Sequence, residues 1–105
     1  MENENAYEVK MTESGALVEM PANVLGGADA FTFTSRIAEL SAGDTSVVTL
    51  DLSRVEVMNS SGLGMLVSAL SALRKAGKQL RLLGVPPKVM KLLEMTHLDE
   101  VFQIR

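Results

Sequence analysis

Residues 47–75, VVTLDLSRVEVMNSSGLGMLVSALSALRK, constrain the chain more than any other stretch. Val47 to Leu52 is nearly all apolar, as expected of a central strand covered on both faces. Further on, Leu63, Leu66, Val67, Leu70 and Leu73 recur at i, i+3, i+4, i+7 and i+10, a single stripe on an amphipathic helix. Between the two lies Asn59-Ser60-Ser61-Gly62. An amide and two hydroxyls therefore stand where a strand hands over to a helix amino terminus. There the first amides lack intrahelical partners and the dipole favours negative charge. Such a unit has to lay its leucine stripe on a sheet, so the fold is α/β.

The flanking segments extend this pattern. Residues 1–5 read as a loose polar tail and 6–105 as one folded domain, the size at which a single core suffices without staples. Tyr7, Val9 and Met11 alternate with polar residues, Thr12-Glu13-Ser14-Gly15 reads as a turn, and Ala16 to Met20 returns as a second strand. Pro21 ends that ladder, and Val24-Leu25 continues the extended path. After Gly26-Gly27, Asp29 is placed to cap a helix from Ala30 to about Leu40, with Phe33, Ile37 and Leu40 inward and Phe31 off that row. Gly77 closes the leucine-striped helix. Lys78 to Leu83 forms another strand. Pro86-Pro87 starts a last helix burying Val89, Leu92, Leu93 and Met90, and Val101 to Ile104 forms an edge strand. The order β-β-α-β-α-β-α-β implies an N-terminal hairpin, then strand–helix crossovers building a mixed, mostly parallel sheet with helices packed on it.

Composition removes several classes of function. The 105 residues are 47% hydrophobic and 22% charged, which suits a folded domain and argues against disorder. No cysteine is present, so disulfides, thiolate catalysis and cysteine-bound metals are excluded. Ten basic against thirteen acidic residues give a net charge of −3 without a basic block, which disfavours nucleic acid. The acidic start, MENENAYE, is unlike a signal peptide, and no apolar run is long enough to enter and span a bilayer. The expectation is a soluble, cytoplasmic protein.

Two readings of the serine turn are open. Asn and Ser are the preferred helix caps, so capping alone accounts for the turn. Alternatively, one hydroxyl accepts a phosphate. A phosphoserine at a helix amino terminus is favoured by backbone amides and dipole, so it would leave the helix intact while adding about −1.5 to −2 units of charge to whatever docks there. Met65, Ala69, Ala72 and Ala76 follow i, i+4, i+7 and i+11, largely away from the leucines, a strip beside the serines suited to a partner helix. Alanines are also simply good helix formers.

Catalytic readings fare poorly. A serine hydrolase lacks its elbow motif, and the single histidine, His97, falls at a helix end. SSGLG lacks the lysine of a P-loop and the spacing of a dinucleotide fingerprint. The carboxylates show no ligand-spaced cluster. No enzyme activity, cofactor or metal is expected.

The run from Val47 to Leu73, with DLS at 51–53 and SSGLGML at 60–66, resembles the STAS domain, and more narrowly the bacterial anti-sigma factor antagonists. The initial hairpin, the Leu25-Gly26…Asp29 loop and the His97-Leu98-Asp99 region extend the likeness over most of the chain. The resemblance implies partner switching: the unphosphorylated antagonist captures a GHKL-type serine kinase that is itself the anti-sigma factor, freeing a sigma factor. Phosphorylation of a serine in the turn ends the capture, and a phosphatase restores it. The acceptor falls on Ser60. The implied docking surface takes in Asn59, Ser61, Gly62, Leu63, Met65 and Ala69, with Asp29 and Asp51 near the same end of the sheet. Where family members commonly carry Asp before the acceptor, this chain has Asn59. The amide keeps the capping geometry but removes a charge, which alters kinase recognition or marks a relative that binds without being phosphorylated. The alternative use of the same fold is a non-switching STAS subunit, a scaffold or accessory component of a transporter or stress-signalling complex.

Overall fold

In chain order the elements are β1 (Glu8–Thr12), β2 (Gly15–Glu19), β3 (Asn23–Val24), α1 (Ala28–Ala42), β4 (Val47–Asp51), β5 (Val57–Met58), α2 (Ser60–Lys75), β6 (Gln79–Leu83), α3 (Pro87–Met95), a 3₁₀ turn (Leu98–Glu100) and β7 (Gln103–Ile104). The computed structural model describes residues 7–13 and 15–104, without the side chains of Ala28 and Asp29. The polar tail 1–5 and Ser14 of the first turn lie outside the described residues.

The expected hairpin forms. β1 and β2 run antiparallel with Val9 opposite Val18, and Thr12 Oγ1 donates to the Gly15 carbonyl at 2.9 Å. The main sheet has the order β1-β2-β4-β6-β7, in which β2, β4, β6 and β7 are mutually parallel. Each crossover steps to the next strand in the same direction. Because such crossovers are right-handed, all three helices fall on one face.

Burial follows from that topology. Val18, Val48, Leu50, Leu80 and Leu82 face the helices and meet Phe33 and Ile37 of α1, Leu66, Leu70 and Leu73 of α2, and Val89 and Leu93 of α3 in one core. Val47, Thr49 and Asp51 point the other way and are only half-buried. The expectation that β4 is covered on both faces is therefore corrected. Its apolar run reads like a doubly covered strand, but among the described residues no layer packs on the outer side.

Other boundaries shift for local reasons. α1 begins at Ala28 after a Gly27 cap that makes no side-chain bond, so Asp29 stands inside the first turn and is not the cap. β3 and β5 pair in parallel as a separate two-residue ribbon, with Val24 beside Met58, where a plain connector was expected. The edge strand shrinks to Gln103–Ile104, because Val101 belongs to the preceding turn. Gly77 does stop α2, standing just past the Ala76 cap with a positive φ of 75°. The Gly77 and Lys78 amides donate back to the Arg74 and Leu73 carbonyls at 3.0 and 2.8 Å, closing the helix with paired end bonds. The Lys78 side chain then reaches across to α1, where Nζ donates to the Leu40 and Gly43 carbonyls and satisfies that helix end. Among the described residues, no helix is long and apolar enough to cross a membrane.

Candidate functional site

The serine turn sits at the carboxyl end of the parallel strands, built by β4 and the β3–β5 ribbon. As β4 ends, the Asp51 carboxylate accepts the Ser53 amide at 2.9 Å and starts the connector. Val55 tucks into the core, and the Glu56 and Val57 amides both donate to the Ala22 carbonyl, at 2.8 and 3.0 Å. β5 then runs alongside β3 and delivers Asn59 to the start of α2.

Asn59 is the cap. Its backbone is extended (φ −109°, ψ −174°), and its side-chain oxygen accepts the Gly62 amide at 2.8 Å. Its carbonyl accepts the Leu63 amide at 2.9 Å, the first intrahelical bond. Two glycines hold the helix start against its neighbours. A Cβ on Gly62 would lie 1.8 Å from the Val24 carbonyl oxygen, so only glycine lets α2 approach β3 this closely. A Cβ on Gly26 would lie 2.9 Å from the Ser61 Cβ, so the loop before α1 rests directly on Ser61.

Ser60 and Ser61 are exposed, and neither hydroxyl is hydrogen-bonded among the described residues. As the first two helical residues, their amides also lack intrahelical partners. No acidic residue stands in the first turn of α2. Free amides, the positive end of the helix dipole and a first turn without carboxylates together make this a place where an added anion is tolerated. Because Asn59 does the capping, chemistry at Ser60 would leave the cap in place.

The expected docking residues divide. Asn59, Ser60 and Ser61 are exposed together, and Asp51 lies half-buried at the same end of the sheet. The Asp29 backbone opens α1 there, while its side chain lies outside the described residues. Gly62, Leu63, Met65 and Ala69 are buried, which corrects their placement on a docking surface. The methionine–alanine strip does point away from the leucines, but α1 lies along it. Met65, Ser68, Ala69 and Ala72 meet Phe33, Thr34, Ile37 and Ala38 across a shallow seam. Two stripes of α2 are thus covered by its own chain.

The free face of α2 carries Gly64, Val67 and Ser71, with Ser68 at the rim of the seam, and Val67, expected inward, is 39% exposed. Sequence reasoning also missed an apolar set at this end of the fold: Leu25, Val57 and Phe31, the last 78% exposed. For Phe31 there was a signal, its position off the Phe33–Ile37–Leu40 row. His97 follows α3, which runs from the carboxyl ends of the strands to the opposite end, so the histidine is remote from Ser60.

The STAS-domain family model matches residues 11–105. This chain belongs to the STAS domain family. The anti-sigma-B factor antagonist of Listeria monocytogenes is 36% identical over 59 residues, 56% of this chain and 52% of that protein. The anti-sigma-B factor antagonist of Staphylococcus aureus is 35% identical over 60 residues, 57% and 56% of the two chains. The STAS chain thus spans about half the length of the curated relatives it matches. Among solved structures, a Thermotoga maritima protein described as an anti-sigma factor antagonist superposes with a TM-score of 0.80 at 25% identity, covering 93% of this chain and 84% of that one. The expected α/β architecture of a single STAS domain is what the structure and these neighbours have in common.

Proposed function

We propose that this STAS protein is an anti-sigma factor antagonist: a binding protein, not an enzyme, that works in the cytoplasm by partner switching. Unphosphorylated, it captures a GHKL-type serine kinase acting as an anti-sigma factor and so frees a sigma factor. Phosphorylation of Ser60 ends the capture, and a phosphatase restores it. The observation that carries this reading is the geometry of Ser60, an exposed hydroxyl with no hydrogen bond among the described residues, at a helix start whose cap is supplied by Asn59. The names of the Listeria and Staphylococcus relatives support the same role.

The mechanism follows from charge. A phosphate on Ser60 adds about −1.5 to −2 units beside free amides, which favour it, so the helix stays folded. The penalty falls on the docked partner, which has to desolvate that charge or meet it with its own. Unfavourable charge of this kind costs roughly several kcal/mol, enough to lower affinity by two orders of magnitude or more.

The test uses the GHKL-type kinases encoded in the source genome, each purified and incubated with the full chain and ATP. One phosphate at Ser60 by mass spectrometry, and loss of capture in Ser60→Asp, are the expected results. Labelling that persists in Ser60→Ala would overturn the site. A Ser60→Asp protein that binds the kinase as tightly as wild type would overturn the charge switch.

A further inference from the structure

β1 closes the main sheet on one side, and among the described residues no strand pairs with its outer edge. Hydrogen bonding alternates along an antiparallel ladder, and the two-residue turn makes Thr12 and Gly15 a bonded pair. The amide and carbonyl of Lys10 therefore point to β2, whereas those of Val9 and Met11 point to the open edge. Beside that edge lies an open depression of about 600 Å³ between β1 and α1, lined by Tyr7, Val9 and Leu40 and by Arg36 and Glu39. Met11 shares a side of the strand with Tyr7 and Val9 but is 65% exposed. On the other side of the strand, Glu8 stands directly opposite Glu19 of β2, a like-charge pair that costs stability within the chain. Glu19 takes its cations from Lys10 and Arg54, and Glu8 makes no ion pair among the described residues.

We propose that the outer edge of β1 pairs with the same edge of a second copy of this chain, joining two five-stranded sheets into one. A twofold axis between identical edges makes the two strands antiparallel, and the charges choose the register. Centred on Val9, the pairing sets Glu8 opposite Lys10 of the second copy at both ends, and Met11 opposite the second copy's Tyr7. Glu8 then gains the cation that its own sheet does not set opposite it, and Met11 enters the depression beside Tyr7. Centred on Lys10, the two lysines would oppose each other, which is unfavourable. The depression is also its own electrostatic complement, because Glu8 and Lys10 on β1 and Arg36 and Glu39 on α1 bring equal numbers of each sign. An isologous interface requires that self-complementarity. α1 stands between this edge and α2, since Arg36 and Leu40 line the depression while Thr34 and Ala38 line the seam with α2. Pairing there stands or fails apart from kinase capture at Ser60.

Sedimentation equilibrium of the full chain, up to about 1 mM, should show a monomer–dimer equilibrium. Glu8→Lys should weaken it about tenfold or more, because a cation then faces Lys10 at both ends of the pairing. The same change removes the like-charge contact with Glu19, so the melting temperature of the dilute, monomeric variant should rise. A fall would trace the lost dimer to a damaged fold and count against the proposal. The chain has no cysteine, so engineered cysteines report the register. A mixture of Glu8→Cys and Lys10→Cys proteins should cross-link on oxidation as the heterodimer. Residues opposed outside the hydrogen-bonded pairs lie about 4.5 Å apart at Cα, within disulfide reach, and the second Glu8–Lys10 pair is retained. Three results would overturn the proposal: a wild-type chain that stays monomeric, a Glu8→Lys chain that pairs as tightly as wild type, or a Lys10→Cys chain that cross-links with itself in preference to Glu8→Cys.

Discussion

Gly62→Ala offers the sharpest check on how α2 is seated. The added Cβ would stand 1.8 Å from the Val24 carbonyl oxygen and 2.7 Å from its carbon. Relieving this needs a separation of roughly 1 Å or more between helix and strand, in a region packed at ordinary interior density. Neither side yields easily. Val24 is fully buried and paired to Met58, while the first turn of α2 is tied to Asn59 by two hydrogen bonds. Overpacking of this kind costs about 1–3 kcal/mol, and a clash with backbone belongs at or above the upper end. The better helix propensity of alanine returns about 1 kcal/mol. A net loss of about 2 kcal/mol lowers the melting temperature by about 8–16 °C for a domain of this size. Thermal melts followed by circular dichroism, with urea titration for the free energy, read this directly. Gly64→Ala, where a Cβ would meet no atom within 4 Å, serves as the internal control and should move the other way. A Gly62→Ala midpoint within about 2 °C of wild type would refute the reasoning, because helix and ribbon would then slide apart freely.

The remaining expectations concern capping and charge. Asn59→Ala should cost about 1 kcal/mol in urea unfolding through loss of the cap, whereas Asn59→Asp keeps the acceptor and should gain about 0.3–1 kcal/mol at low salt from the dipole. Lys78→Met should destabilise the fold by about 1–2 kcal/mol, since two carbonyls at the end of α1 lose a charged donor; an unchanged unfolding midpoint would show that water replaces it. Lys10 is held above its ordinary value by its hydrogen bond to Glu19 and by that carboxylate's charge. The resulting stabilisation is complete below pH 10.5 and disappears as pH rises through the higher folded-state value. The gap in melting temperature between wild type and Lys10→Met should therefore close in alkaline solution, and a gap that widens there would contradict the assignment.

Much of the architecture was legible because it rests on local signals. The leucine period of α2, the hairpin, the Gly77 stop and the Asn59-Ser60-Ser61-Gly62 turn each act within a few residues and form as expected, except that Val67 of the stripe and Met11 of the hairpin are exposed. The outer boundaries failed where a signal was short or supplied from elsewhere. β3 and β5 hold two residues apiece, too few for any period to register. The end of α1 is satisfied by Lys78, thirty-odd positions away in sequence.

By itself, the sequence determined that a capped helix start would present two hydroxyls at the end of a parallel sheet. Only the tertiary structure decided what surrounds them. A hydrophobic period reports that a face is covered but not by what, so Met65 and Ala69 looked available until α1 was seen lying on them. Val67 and Phe31, apolar like their neighbours, proved to face outward. Glycine is likewise the same letter whether a backbone presses on it or nothing does. Gly62 and Gly64 differ only in what stands opposite, and that is a property of the assembled fold.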